Sequence, residues 1–358
     1  MATILPWQPD GCAGQVLQHL TAGLCAVLPT ESTYEIVGSA LDRQGVESLS
    51  RYAQKSRPAV VVTDVAQVGD WLPLLSGAAA RLVRKLGAGP YALQADAGSA
   101  RGLRARLPAA AVGLVGAPEL CVRLSEHPIW VELERADLPL VSIPLSAANA
   151  EEAARLVGDA AVCIVDAGAT EHKALPSLVR SRGRRCEMVA EGALKRDHFE
   201  ELTLCRILFI CTGNTCRSPM AEALCTKLLC DRLGCTAAEM RANGYVVQSA
   251  GLAAMTGSLA ATEALDVVAS LGGDLSRHQS CMVSLEMLLW ADFVFTMTTG
   301  HLDTLESVAV PNLPTPRLLS PGRVDIADPI GGTITDYRSC AQQIIDSLNA
   351  RLPEILEA

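Results

Sequence analysis

Short apolar runs alternate with amphipathic stretches along the chain, which is the pattern of strands and helices in α/β proteins. In the first half, apolar runs of four or five residues predict strands at Leu24–Leu28, Val60–Thr63, Pro139–Ile143 and Val162–Val165. Stretches in which apolar residues recur every three or four positions predict helices at Ala13–Ala22, Gly77–Leu86 and Ala150–Val157. The pattern therefore predicts an α/β domain in this half.

The alternation breaks near residues 195–203, where the sequence becomes charged, and it resumes with a strong apolar strand at 206–210. We interpret this break as a domain boundary. It predicts a first domain over 1–197, a linker over 198–204 and a second domain over 205–358. Two domains is also the natural expectation for a chain of 358 residues.

The second domain has a regular order of predicted elements. After the strand at 206–210 come a loop over 211–218 and a helix opened by Pro219, since proline suits the first turn of a helix. Further elements are predicted at Val246–Ala250, Leu259–Leu271, Leu285–Trp290, Phe293–Met297 and Asp336–Leu348. Strands and helices in this order predict a parallel sheet with helices on both faces, a three-layer α/β domain.

Composition narrows the class of protein. Apolar residues make up 49% and charged residues 19%, and the net charge of −9 disfavours general binding to nucleic acids or anionic membranes. The basic run at 180–185 is interpreted as a solvated turn. Residues 1–14 lack the pattern of a secretory signal, and Pro and Gly interrupt the longest apolar stretches. We therefore expect a cytoplasmic protein that does not associate with membranes.

The chain has thirteen cysteines, an odd number without a Cys-x-x-Cys pair. This usage fits neither a disulfide framework nor a zinc site. We expect reduced, mostly buried thiols and no bound metal.

One cysteine stands in a special position, because Cys211 follows the apolar strand and five residues separate it from Arg217. Consecutive backbone N–H groups capped by a helix N-terminus supply the donors that a phosphate dianion needs. An arginine adds a planar fork that can hold two phosphate oxygens. The same positive field stabilises Cys211 as a thiolate, which makes it a candidate nucleophile.

The residues between and after this pair complete a candidate phosphate-binding loop. Gly213 permits a close backbone approach or a positive φ, Asn214 can tie the loop together, and Ser218 can donate to the thiolate. The spacing alone arises by chance, but its place between a strand and an Arg-Ser-Pro helix start favours the functional interpretation. The predicted loop residues are Thr212, Gly213, Asn214, Thr215, Cys216 and Ser218.

Residues 206–356 resemble the low-molecular-weight protein tyrosine phosphatases, and more closely their protein arginine phosphatase branch. Besides the loop, the resemblance rests on Ser249-Ala250-Gly251, Asp274–His278 (DLSRH), 291–301 (ADFVFTMTTGH) and Asp328-Pro329. It implies a hydrolase that removes phosphate from proteins and needs no cofactor.

The resemblance also implies roles for individual side chains. Cys211 would form a cysteinyl phosphate while Arg217 holds the phosphoryl group. Asp328 would protonate the leaving group and then take a proton from water. Asp325 is an internal competitor for the role of acid, but no proline follows it. In this family a cysteine at the position of Cys216 can form a reversible disulfide with the nucleophile. The alternative, to which we give equal weight, is that Cys216 is only a small buried residue of the loop.

Two positions bear on the substrate. Thr215 resembles the arginine-directed members, whereas tyrosine-directed members usually carry a bulkier aliphatic residue there. Ile330 and the two glycines after it offer no aromatic wall for a phenol ring, although the arginine branch commonly has an aromatic residue at this position. Phosphoarginine is therefore the favoured substrate, and phosphotyrosine is the alternative.

Residues 15–195 resemble, more faintly, the YrdC-like domain of threonylcarbamoyl-AMP synthases, which use threonine, bicarbonate and ATP. The resemblance rests on Pro29–Tyr34 (PTESTY), Lys55–Pro58 (KSRP), 146–149 (SAAN), Pro176–Val179 (PSLV) and Glu191-Gly192-Ala193. It implies that a ligand site would contain Thr30, Lys55, Arg57, Ser146, Asn149 and Ser177.

Several departures from that family predict a degenerate domain. Glu35 stands where a glycine is usual, residues are missing after Pro58, and Ala190 replaces a typical arginine. A site that must hold ATP tolerates few such losses. We expect a regulatory or binding module, with an active ATP-dependent synthase as the alternative and RNA binding as a disfavoured one.

For the whole protein, a further alternative is a protein that binds phosphorylated partners without cleaving them. The sequence leaves the oligomeric state open.

Overall fold

The computed structural model describes residues 2–9, 11–54, 56–98, 104–105, 107–116, 118–308, 313–322 and 324–357. The chain folds as two compact units, Met1–Thr203 and Leu204–Ala358. Both units are α/β structures, as the hydrophobic pattern predicts.

A single mixed sheet organises the first unit. In the described part of this unit ten strands join in the order β1-β8-β2-β3-β7-β4-β6-β5-β9-β10, with parallel and antiparallel neighbours. The strands are β1 (Thr3–Pro6), β2 (Ala26–Pro29), β3 (Tyr34–Ser39), β4 (Ala59–Val62), β5 (Tyr91–Asp96), β6 (Glu119–Leu124), β7 (Leu140–Pro144), β8 (Cys163–Asp166), β9 (Ser177–Arg182) and β10 (Arg185–Ala190). The four strands predicted here are found within two residues at each end.

Helices cover this sheet and bury its apolar side chains in two clusters. They are α1 (Ala13–Thr21), α2 (Arg43–Ser50), α3 (Val65–Trp71), α4 (Gly77–Leu86), α5 (Ala109–Val115), α6 (Pro128–Glu134), α7 (Ala150–Val157) and α8 (Arg196–Thr203). The predictions for α4 and α7 are correct to the residue, because each has a strong apolar stripe and ends at a glycine with positive φ.

The prediction of a linker over 198–204 is wrong for most of that stretch, because α8 occupies it as part of the first unit. Phe199 is buried in the core of this unit and Leu202 packs against it, one helical turn apart. Arg81 on α4 donates from Nε to the carbonyl of Thr203 at 2.9 Å, at the helix end. The apolar face formed by Phe199 and Leu202 thus packs α8 against the core of the first unit, although most other residues of this helix are charged or polar.

The second unit contains a parallel sheet with the order β12-β11-β13-β14 in its described residues. Side chains alternate along β11, so that Phe209 lies in one core and Ile210 in the other. The strands are β11 (Cys205–Cys211), β12 (Tyr245–Gly251), β13 (Phe293–Thr296) and β14 (Arg317–Leu318).

Two layers of helices enclose this sheet. Helices α9, α10 and α13 pack together over one face, and residues of α11 and α12 lie in the core of the other. Their bounds are α9 (Arg217–Leu233), α10 (Thr262–Ser270), α11 (Leu285–Trp290), α12 (Thr299–Glu306) and α13 (Ile334–Glu357). The three-layer α/β prediction is confirmed. Across both units, no helix formed by described residues is long and apolar enough to cross a membrane.

Several helices of this unit differ from the predictions: α9 begins at Arg217, two residues earlier than predicted, α12 was not predicted, and α10 and α13 have other bounds. Helix α10 begins at Thr262, three residues later than predicted, because the preceding segment docks on the candidate loop through the bond from Ala261 N to Thr215 O. Helix α13 continues through Pro353 to Glu357, since Leu352 and Ile355 are fully buried and hold its last turns in the core.

Candidate active site

The candidate loop lies where the order of strands reverses. From β11 the chain passes to β12 on one side and later to β13 on the other, so the carboxyl end of β11 is a switch point of the sheet, the usual place for ligands in open α/β folds. Cys211 is the last residue of β11, and Arg217 is the first of α9. The helix N-terminus therefore faces the loop, as the prediction requires.

The Cys211 thiol is buried and has two polar neighbours. The backbone N–H of Asn214 donates to its Sγ at 3.2 Å. The hydroxyl Oγ of Ser218 lies 3.0 Å from the same sulfur and 3.2 Å from the carbonyl of Ala250. One backbone donor therefore points at the sulfur, and a hydroxyl lies beside it.

Asn214 is the side chain that ties the loop together. Its Nδ2 donates to Ser218 Oγ at 2.9 Å and to Ser249 Oγ at 2.8 Å, and its Oδ1 accepts from the N–H of Cys281 at 2.9 Å. Asn214 also has a φ of 54°, a left-handed conformation that asparagine tolerates better than most residues. Ser249 in turn donates to Glu222 Oε2 at 2.6 Å, while burial raises the pKa of that carboxyl.

Gly251, at the end of β12, lets the loop approach the sheet. A Cβ atom at this position would lie 2.5 Å from the carbonyl oxygen of Thr212 and 3.0 Å from the backbone nitrogen of Asn214. Such contacts exclude any side chain, so the Ser-Ala-Gly segment ends in glycine for a steric reason.

Arg217 and Asp328 form an ion pair at the mouth of the loop. The arginine is only 5% exposed, whereas the aspartate side chain is 42% exposed. Arg217 Nη1 also donates to the carbonyl of Ile326 at 3.4 Å. The structure thus brings Asp328 to the loop of Cys211 and Arg217, from more than a hundred residues further along the sequence.

Asp325, the competing acid, lies on the other side of its loop. Its Oδ1 accepts from the backbone N–H of Thr299 at 2.8 Å, and its Oδ2 accepts from the Thr299 hydroxyl at 3.3 Å. This contact anchors the loop to the first turn of α12. Asp328 is therefore the better candidate acid, since its carboxylate is the one that pairs with Arg217.

His301, for which the sequence predicted no role, lies against the loop. Its Nε2 lies 2.9 Å from Thr212 Oγ1, and the residue is 7% exposed. Burial lowers the pKa of His301, and the charge of Arg217 lowers it further, while Asp328 and Asp325 oppose the change. The only signal in the sequence is its position at the end of the segment 291–301.

The lowered pKa of His301 predicts a loss of stability on acidification. The unfolded chain binds a proton near the ordinary histidine value of about 6.5, but the folded imidazole binds it only at lower pH. Unfolding therefore takes up a proton in this window, and stability falls as the pH drops below about 6.5. Amide exchange in β11 of the full chain, corrected for intrinsic rates, should report this loss.

His301→Gln should reduce that pH dependence, because glutamine does not titrate and still reaches Thr212 with a polar group. His198→Gln, on the exposed side of α8 in the first unit, is the control and should leave the slope unchanged. An unchanged slope in His301→Gln would contradict the assignment.

Thr215 and Cys216 lie inside the loop, as predicted, whereas Ile330 lies outside it at the surface. Thr215 accepts through its carbonyl from Ala261, and its hydroxyl lies 3.7 Å from Cys216 Sγ. Cys216 Sγ lies 3.3 Å from the hydroxyl of Tyr337 on α13. Ile330 is 70% exposed and contacts the site through its N–H, which donates to Asp328 Oδ1 at 3.3 Å.

In the first unit, three of the predicted ligand residues make hydrogen bonds within the protein. Thr30 Oγ1 donates to the carbonyl of Thr33 at 2.7 Å and accepts from Arg123 Nη2 at 2.9 Å. Asn149 caps α7 by accepting from Glu152 N at 2.9 Å. Ser177 Oγ donates to the carbonyl of Leu194 at 2.7 Å and is also bonded by a backbone N–H. These three side chains therefore stabilise the fold through internal hydrogen bonds.

Of the other three predicted residues, Arg57 and Ser146 are exposed, and Lys55 lies outside the described residues. A cavity of about 310 Å³ in this unit includes Thr30 in its lining but neither Arg57 nor Ser146. The other residues of its lining are Pro29, Glu31, Glu126, His127 and 167–171.

A buried ion pair between Glu35 and Arg123 lies next to Thr30. Both side chains are fully buried, and Glu35 also accepts from the hydroxyl of Ser142. Burial raises the pKa of Glu35, and the charge of Arg123 opposes that rise. Glu35, which the sequence marked only as a departure from the family, is thus part of the core.

Arg123→Met should therefore destabilise the first unit by about 3–5 kcal/mol, because it leaves a buried carboxylate without its partner. The double variant Glu35→Leu/Arg123→Met should recover most of this loss. Urea unfolding followed by tryptophan fluorescence reports mainly on this unit, which holds Trp7, Trp71 and Trp130. Arg43→Met, which breaks an exposed pair with Glu47, is the control and should have no measurable effect. An equally small effect of Arg123→Met would contradict the prediction.

Comparison with known proteins agrees with this division of the chain. Residues 206–357 match the family model described as low molecular weight phosphotyrosine protein phosphatase. Residues 18–191 match the model described as telomere recombination, which groups Sua5, YciO and YrdC.

Individual relatives match the second unit. A protein-arginine-phosphatase of Geobacillus stearothermophilus is 36% identical over 156 residues, which are 42% of this chain and 96% of that protein. A low molecular weight protein-tyrosine-phosphatase, PtpB of Staphylococcus haemolyticus, is 34% identical over 39% of this chain and 92% of its own length. The solved YwlE arginine phosphatase of G. stearothermophilus is 36% identical and covers 42% of this chain and 91% of its own, with a TM-score of 0.36.

The identity to these relatives extends over nearly their whole length, and the matched region coincides with the unit that carries the Cys211 loop. The region in front of it matches a second family model, which agrees with the resemblance stated for residues 15–195. The chain therefore belongs to the low molecular weight phosphotyrosine protein phosphatase family, with a Sua5/YciO/YrdC-like region preceding its phosphatase domain.

Proposed function

We propose that this protein hydrolyses phosphoarginine in proteins through a cysteinyl-phosphate intermediate. The observation that carries the proposal is the placement of Cys211 and the Arg217–Asp328 pair at one helix N-terminus. The Asn214 N–H donates to Cys211 Sγ, and the Ser218 hydroxyl lies beside it. A nucleophile, an anion-binding fork and an acid at one helix N-terminus are the parts that phosphoryl transfer needs. A protein that only binds phosphorylated partners has no use for the nucleophile and the acid.

In the first step the Cys211 thiolate attacks phosphorus and forms the S–P bond. The P–N bond breaks, its electron pair leaves with the guanidine nitrogen, and that nitrogen takes a proton from Asp328. In the second step water attacks phosphorus and gives a proton to Asp328, the S–P bond breaks, and the thiolate is restored. Arg217 neutralises the phosphoryl oxygens in both steps.

Two features support phosphoarginine over phosphotyrosine. Thr215 places a hydroxyl within the phosphate loop, and no aromatic side chain follows Pro329, where Ile330 projects into solvent. A phenol ring would therefore lack a stacking wall beside the acid. The relatives include phosphatases named for either substrate, so the choice rests on these residues.

The test is kcat/KM for two peptides of one sequence that carry either phosphoarginine or phosphotyrosine. We expect a preference of about tenfold or more for phosphoarginine. Thr215→Ile should shift the preference toward phosphotyrosine, while Thr215→Ser keeps the hydroxyl and is the matched control. Equal or faster turnover of phosphotyrosine by the unmodified protein would overturn the substrate assignment.

We propose a binding or regulatory role for the first unit. Thr30, Asn149 and Ser177 are committed to internal hydrogen bonds, so they are poorly placed to exchange them for a nucleotide. The alternative, an active synthase, has a direct assay: pyrophosphate release from ATP that depends on threonine and bicarbonate. Such release by the purified chain, lost in Arg57→Ala, would establish the synthase in place of the binding module.

A further inference from the structure

We propose that Gln343, on α13, is a positioning residue for the candidate acid Asp328; this inference rests on the proposed function. Its Oε1 accepts a hydrogen bond from the backbone N–H of Ala327 at 3.1 Å. Ala327 is the residue directly before Asp328. Gln343 lies 16 residues after Ala327 in sequence, and no sequence pattern indicated a role for it.

Burial anchors the chain at Ile326 and at Pro329, on either side of the acid, but it does not hold Ala327 and Asp328 themselves. The Asp328 side chain is 42% exposed, and Ala327 is exposed as well. Ile326 is buried and donates from its N–H to the carbonyl of Met297 at 2.8 Å. Between this buried anchor and the acid, the bond to Gln343 fixes the Ile326–Ala327 peptide, which directly precedes the peptide that carries the Asp328 nitrogen.

The contact also links the acid to the helix layer that carries Arg217. Helix α13 packs on α9, whose first residue is Arg217. Asp325 attaches the opposite side of the loop to α12 through Thr299. With Gln343, the loop is held from both helical layers, and Asp328 stays at the mouth of the phosphate site. The exposed Gln343 thus acts on the reaction through Asp328.

The experiment compares Gln343→Met with Gln342→Met in the full chain. Methionine has a similar shape but does not accept the Ala327 hydrogen bond. Gln342 is the adjacent exposed residue and bonds Asp346 instead, so it is a matched control. The measured quantity is kcat/KM for phenyl phosphate, whose leaving group needs a proton, and for 4-nitrophenyl phosphate, whose leaving group needs it much less.

We expect Gln343→Met to lower kcat/KM for phenyl phosphate about three- to tenfold, the effect of one hydrogen bond, and for 4-nitrophenyl phosphate by about twofold or less. Gln343→Glu keeps the acceptor and should restore the rate with phenyl phosphate. In an Asp328→Asn background, Gln343→Met should cause no further loss. Gln342→Met should leave both rates unchanged.

Equal losses with the two esters, an additional loss in the Asp328→Asn background, or no loss at all would overturn the inference. Failure of the proposed function gives a different pattern, in which Asp328→Asn itself spares the rate with phenyl phosphate. That result would overturn both. Matching thermal midpoints for Gln343→Met and Gln342→Met would show that a change in rate does not arise from unfolding.

Discussion

Replacing Cys211 by serine is expected to reduce phosphatase turnover by at least about 10⁴-fold. The Asn214 N–H donates to this sulfur, and the Ser218 hydroxyl lies beside it. A serine hydroxyl is far less acidic than a thiol and would remain protonated in the same field, so attack on phosphorus would nearly stop. Release of inorganic phosphate from a phosphoarginine peptide measures the effect.

Cys235→Ser is the matched control for this substitution. Cys235 follows the C-terminal end of α9, at the opposite end of the helix from the loop, and its side chain is partly exposed. We expect near-normal turnover from this variant. Substantial activity in Cys211→Ser, or a comparable loss in Cys235→Ser, would contradict the role of Cys211 as nucleophile.

Replacing Arg217 by lysine is expected to lower kcat/KM by about 10²–10³-fold, although the charge is kept. Lysine cannot reproduce the planar fork that pairs with two oxygens at once. In this structure the guanidinium holds both the Asp328 carboxylate and the carbonyl of Ile326, so lysine would also loosen the acid loop. Steady-state kinetics with the phosphoarginine peptide test this prediction.

Arg351→Lys provides the control for loss of a partly buried arginine. Arg351 bonds the carbonyls of Leu318 and Leu319 at 2.7 and 3.1 Å, and so it tests whether breaking two arginine bonds in this unit is by itself enough to lower the rate. We expect a modest loss of stability and nearly normal turnover. If Arg217→Lys retained most of its activity, the fork would not be the feature that holds the phosphoryl group.

Much of the candidate site was predictable because its parts are contiguous. Cys211, Arg217 and the residues between them form one loop at the end of a strand, and local spacing is enough to indicate a phosphate cradle. Asp328 was found through the resemblance and the proline after it. His301 was not assigned a role, although it ends the matching segment 291–301. Gln343 was not assigned one because a glutamine on a helix has no distinctive pattern until the helix is placed beside the loop.

The first unit shows the limits of motifs more clearly. Its short segments predicted six ligand residues, yet Thr30, Asn149 and Ser177 are engaged in capping and core hydrogen bonds. A serine or threonine that binds a ligand and one that satisfies a backbone group look alike in sequence. Only the surrounding partners separate the two cases.

The sequence by itself determined the α/β character of both units, most of the element positions and the Cys211 loop as a candidate phosphate site. These features depend on apolar periodicity and on residues close together along the chain. The tertiary structure decided that 196–203 docks as a helix, that Asp328 rather than Asp325 pairs with Arg217, and that His301 and Gln343 contact the loops of the candidate site. Those outcomes depend on which elements pack together over long sequence separations, and local spacing does not encode that.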